Sequence, residues 1–149
     1  MIGTVERYIF AALDTAVKQE REGKVPSLPL WLTPVQVRIV PVSDSFTRRA
    51  HEILSEIEEA SVRADLDDRP ESISKRVRDA EVNWIPYIVV IGEKEMKTSL
   101  LNVRKRETGE QRTMSVRELV EEVTNRTKGY PKMSLKMPSL LSQRPVYKL

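Results

Sequence analysis

The sequence contains no cysteine, a single histidine and five glycines, and aromatic residues fill only 5% of its 149 positions. Without cysteine there is neither a disulfide framework nor a thiolate zinc site, and a cytoplasmic location is the expectation. No GxGxxG and no GxxxxGK[ST] occurs, so the usual backbone cradles for dinucleotide or NTP phosphates are missing. Long hydrophobic runs are missing too. The longest, WIPYIVVIG, is about half of the ~20 residues a membrane helix needs. The start, MIGTVERY, carries an acidic residue and no signal-peptide core, so no membrane partner is expected. Finally, no charge of one sign dominates. A formal net charge of +3 is compatible with nucleic acid without pointing to it.

What is present describes a soluble α/β domain, 40% hydrophobic and 32% charged. Apolar residues at Val5, Ile9, Ala12, Leu13, Ala16 and Val17 have helical spacing and predict a helix over Thr4 to Glu22, ended by Gly23. KVPSLPLWLTP is a proline-stiffened connector, after which VQVRIVPVS alternates as a strand. Asp44 or Ser45 is the expected cap of a helix with Phe46, Ala50, Ile53, Leu54 and Ile57 on its inner face. VRADLDD predicts a short strand, and Pro70 the first turn of a helix reaching Trp84. IPYIVVIG reads as a fully buried strand, SLLNVRKR as another, and TGEQRTM as a turn or short strand. Ser115 with Glu118 forms a capping box for a last helix with Val116, Leu119, Val120 and Val123 inward. The tail from Lys128 is basic and proline-containing, and is expected to wrap the surface.

This order implies right-handed crossovers and a three-layer fold: a mixed, mostly parallel sheet of about five strands with helices on both faces. Ligands of such sheets bind beyond the carboxyl ends of the strands, where Gly92 to Glu95 lies. Catalytic candidates are few. The helix register puts His51 with Thr47 and Ser55, on the surface and without an orienting partner. Asp67 and Asp68 have no further ligand at a recognisable spacing, so a strand-end turn is expected and no metal. The remaining signal is VRKR. It is either a solvated hairpin with Glu107 and Glu110 as counterions, or a base-reading site in which Arg104 and Arg106 project with Glu95 toward an unpaired nucleotide. A carboxylate has a use in the second: it accepts from the Watson–Crick donors of a guanine.

These segments carry a resemblance. GTVERYIF is similar to motif 3 of the class II aminoacyl-tRNA synthetases, whose arginine, here Arg7, contacts ATP. LPLWLTPVQVRIVPVS, VRADLDDRPESISKRVRDAE, IPYIVVIGEKE, VRKR and GEQRTMSVRELV resemble, in order, the anticodon-binding domain of the class IIa enzymes, nearest to the threonyl branch. The ending KGYPKMSLKMPSLLSQRPVYKL resembles its archaeal form. The resemblance implies a division into 1–33, a motif 3 helix and linker, and 34–149, an anticodon-binding domain with a basic tail. It implies that Glu95 and Arg104, with Lys94 and Arg106, contact anticodon bases of threonine tRNA, while Arg69, Lys75, Arg78 and Arg112 serve its backbone. Where the family has asparagine after DDR or DLR, this chain has Pro70, and that contact is not carried over. ATP, magnesium and zinc are expected only in a longer enzyme, whose motifs 1 and 2 would precede Met1. Binding without charging is the expectation for this chain, with self-association or a synthetase partner at the N-terminal helix.

Overall fold

The computed structural model describes residues 3–145. The elements run α1 (Val5–Arg21), β1 (Val37–Pro41), α2 (Thr47–Glu59), β2 (Ala64–Leu66), α3 (Ile73–Val82), β3 (Tyr87–Ile91), α4 (Glu93–Lys97), β4 (Leu100–Lys105), β5 (Gln111–Ser115) and α5 (Val116–Arg126). One mixed sheet has the order β2-β1-β3-β4-β5. Strand β1 pairs in parallel with β2 and β3, while β4 and β5 are added antiparallel. Gly109, at φ +70°, takes the left-handed position in the β4–β5 reversal, which is what allows a full fifth strand there.

Alternation along the strands divides two cores. Val37 and Ile39, with Tyr87, Val89, Ile91, Leu101 and Val103, face α2 and α5, which contribute Ile53, Ile57, Leu119 and Val123. Val40 and Ile88 face the other way, against Ala80 and Val77 of α3. Each of the nine residues Val37, Ile39, Val40, Ile53, Ile57, Tyr87, Ile88, Val89 and Leu119 has no measurable exposure, so burial on both faces of β1 and β3 holds the fold. Removing any one aliphatic side chain here to alanine would cost about 2–5 kcal/mol.

Several boundaries differ from the sequence reading, each for a local reason. The turn into α2 is held by Ser43, whose hydroxyl accepts from the Ser45 amide, rather than by Asp44 or Ser45. Helix α3 starts at Ile73, capped by Ser72 accepting from the Lys75 amide, and Pro70 stays outside it. Trp84 leaves the helix at φ +56° instead of lying on its apolar face. The Ser115–Glu118 capping box of α5 is as read: the Glu118 carboxylate accepts from the Ser115 amide at 2.6 Å.

Linker and tail are both bound to the sheet. Arg63 is buried and donates to the carbonyls of Trp31 (2.7 Å), Thr33 (2.9 Å) and Met133 (3.3 Å). Trp31 stacks on Tyr130 at 5.0 Å. Leu140 forms a parallel bridge to Leu66, closing the exposed edge of β2, and the Leu66 amide donates to the Ser139 carbonyl. The aspartates of the β2 end are structural. Asp67 receives the Arg69 guanidinium through two nitrogens, and Asp68 accepts from the Ser142 amide. His51 is exposed.

Candidate nucleic-acid interface

Helix α3 covers β1 and the near half of β3 but not β4 and β5. Their α3-facing side is therefore an open half-sheet. Pairing puts Arg104 beside Ile88 and Gln111, and Asn102 beside Val90 and Thr113, so these polar side chains share one face at period two. Together with Ser74, Arg78 and Glu81 of α3 they line a groove of about 320 Å³, at the lower end of the roughly 300–1,000 Å³ typical of ligand sites. Asn102, Gln111 and Arg78 are exposed. Arg104 is about a third exposed, forms an ion pair with Glu81 at 2.8 Å, and has its Nε buried without a partner among the described residues.

Glu95 stands at a different station. In α4 its carboxylate caps the helix, Oε2 accepting from the Gly92 amide at 2.9 Å, and leaves Oε1 as a further acceptor. Arg104 pairs opposite Ile88, three residues before β3 ends at Ile91. At ~3.3 Å per residue their backbones lie roughly 10 Å or more apart along the sheet. Lys94 is exposed on α4.

Arg106 reaches the same α3 residue as Arg104, Glu81, but does not line the groove. Strand β4 ends at Lys105, and the Arg106 side chain turns inward, donating from Nε to the Glu81 carbonyl (2.8 Å) and from Nη1 to the Pro26 carbonyl. Its guanidinium lies over Trp84 at 5.5 Å. Burial lowers its pKa against the raising influence of Glu81. Arg69 is likewise engaged, held between Asp67 (2.7 Å) and Asp79 (3.0 Å), with its pKa raised first by the Asp67 hydrogen bonds. Lys75 is exposed and paired with Glu71 at 2.6 Å. Arg112 is exposed and paired with Glu110 at 2.7 Å. Arg7, also exposed, sits in the first turn of α1.

Asn102, Gln111 and Glu81 were not singled out from sequence. Counting back two positions from Arg104 along the strand reaches Asn102, a signal that was available. Glu81 carried none, because it meets Arg104 only through the packing of α3 on the sheet. Among the described residues no group of three or more His, Cys, Asp or Glu side chains is placed to hold a metal ion, and no helix is long and apolar enough to cross a membrane.

A family model described as anticodon binding domain matches residues 36–126. The threonine–tRNA ligase of Thermofilum pendens is 52% identical over 147 residues, covering 99% of this chain and 24% of that protein. That of Pyrococcus furiosus is 45% identical over 146 residues, covering 98% and 23%. This chain thus spans about a quarter of the length of the curated relatives it matches. The crystal structure of the RNA binding domain of threonyl-tRNA synthetase from Cryptosporidium parvum Iowa II has the same fold, with a TM-score of 0.63 and 23% identity over 72% of this chain and 26% of that one. With the family model spanning most of the sheet and both of its helical layers, the chain belongs to the anticodon binding domain family, in the form carried by threonine–tRNA ligases.

Proposed function

We propose that this chain is the part of a threonine–tRNA ligase that reads the anticodon of threonine tRNA, so that the longer enzyme attaches threonine to the correct tRNA. The observation that carries this reading is the open half-sheet within the family-matched region: a groove presenting Arg104, Asn102 and Gln111, with the free oxygen of Glu95 beyond its far end. Single-stranded loops are recognised by splaying bases onto such surfaces and bonding their edges, and amides, a guanidinium and a carboxylate supply donors and acceptors of both kinds. Arg104 and Glu95 take different bases of the loop. Lys94, Arg78, Lys75 and Arg112, all exposed, hold phosphates. Arg69 and Arg106 hold the scaffold instead.

Charging belongs to the longer protein. Arg7 contacts ATP there, as one of several cations needed together to orient the phosphates. The chain taken alone is expected to give no threonine-dependent pyrophosphate exchange, and such exchange would refute the assignment. In the same isolated state α1 offers a protein-binding face, considered below.

The deciding experiment is binding to two anticodon stem-loops across a salt titration, one with the threonine anticodon and one with its second and third bases exchanged. Preference for the first that persists as salt rises supports base reading. Equal binding that fades with salt means that phosphates alone are held.

A further inference from the structure

The groove contains one group that a phosphate-binding surface would not want. Glu81, near the end of α3, places its carboxylate 2.8 Å from the Arg104 guanidinium, and the two side chains are 36% and 37% exposed. Neither is buried beyond reach, so the pair faces the space that a nucleotide would enter. The backbone that carries this carboxylate is held in place. The backbone carbonyl of Glu81 accepts from Arg106, which is clamped in turn to Pro26 and stacked over Trp84. The Arg104 Nε is buried without a partner among the described residues, so the ion pair with Glu81 is the contact that orients the head of the side chain.

From this arrangement we infer that Glu81 is a positioning residue for anticodon recognition: it fixes the Arg104 guanidinium toward a base edge and cancels the charge that would otherwise draw it to phosphate. The inference rests on the groove being the base-reading site. A guanidinium on a flexible stem has no intrinsic preference for a base over a phosphate, and the phosphate is the more negative of the two. Pairing one nitrogen to a carboxylate removes the net charge while leaving other donors of the fork to bond in one plane. Discrimination is gained and indiscriminate affinity is lost.

The two consequences have opposite signs, which separates this role from a structural one. The test compares the parent chain with E81Q, R104A and E107Q, using the matched and exchanged stem-loops over a salt series. Glu107 is the control: it is exposed and pairs with Arg126, not with Arg104, so E107Q removes the same charge without touching the groove pair. In E81Q the preference for the matched loop is expected to fall about three- to fivefold, in line with a partly exposed pair. The slope of log affinity against log salt is expected to steepen by about 0.7, as one freed cation takes a phosphate. E107Q should keep the parent's preference, and R104A should lose preference without a steeper slope. If E81Q does not fold, E81D, which draws the charge back by one methylene, is measured in its place and should show both changes in smaller degree. A parent with preference that R104A abolishes and E81Q leaves intact overturns the inference and spares the base-reading assignment. Equal changes in E81Q and E107Q overturn it as well. A parent with no preference overturns both.

Discussion

Arginine takes three distinct parts in this molecule, and the differences are set by where each guanidinium finds its partners. Arg63 and Arg106 spend their donors on backbone carbonyls, Arg69 on two carboxylates, and Arg104 on one carboxylate at the edge of an open groove. Replacing Arg106 by alanine strands the Glu81 and Pro26 carbonyls and removes the cation from Trp84. It should destabilise the fold by about 1–3 kcal/mol, read as a lower urea midpoint. Arg104→Ala leaves the core untouched and should instead cost about 1–3 kcal/mol of discrimination between stem-loops, with a nearly unchanged midpoint. Tyr87 supplies a pH signature. Burial, then its hydrogen bond to Glu122, pushes its hydroxyl up to about 12, with Arg126 opposing. The folded state therefore keeps this proton after the unfolded chain, near pH 10, has lost it. The contribution is complete below about pH 10 and is lost as pH rises to about 12, up to roughly 2–3 kcal/mol. Tyr87→Phe should fall less steeply across that window in the same denaturation series.

At the level of elements, α1 leaves most of its apolar stripe uncovered, as a helix expected to seek a partner would. The helix forms, but the side that meets the domain is small and polar: Ala16 is buried, and Ala12, Thr15 and Gln19 line the cleft toward the linker. Val5, Ile9, Phe10, Leu13 and Val17 are exposed, Val5 and Phe10 by more than 70%, although Val5 and Ile9 share the helix face of Ala12 and Ala16. A 17-residue helix with this stripe is expected to self-associate when the chain is isolated. Ile9→Glu should shift the population toward monomer, measured by sedimentation equilibrium, while leaving stem-loop binding unchanged. Helical period makes both the element and its stripe legible, but not that the stripe meets the domain only at Ala12 and Ala16. The strands were legible in two ways: β3, buried on both faces, reads as an unbroken apolar run, and β1 reads by its alternation, its Arg38 being buried against Asp65. The five-residue α4 was not legible, since its first position, Gly92, has no capping side chain and only Glu95, reaching back, holds the turn. Strand alternation puts Arg106 on the side of Arg104, but it does not reveal that the Glu81 and Pro26 carbonyls take up its donors.

Across the whole molecule, the two ends of the chain close on the same strand. Arg63 in the segment before β2 gathers carbonyls from 31, 33 and 133, and Trp31 meets Tyr130 face to face. Beside them Arg38 and Asp65 form a buried bidentate pair at 2.8 Å, to which Arg144 of the tail adds a second cation at 2.9 Å. Breaking such a buried set by removing one member is far more costly than never having built it. The region matched by the family model, 36–126, contains Arg63, Arg38 and Asp65 but neither the linker nor the tail that complete their bonding. For anyone transplanting this anticodon binding domain into another protein, the portable unit is thus longer than the unit of recognisable kinship. A graft cut at 36 and 126 would carry an arginine shorn of its acceptors and a β2 edge laid bare for another chain to pair with. One cut to include 26 through 145 would travel with its own fastenings.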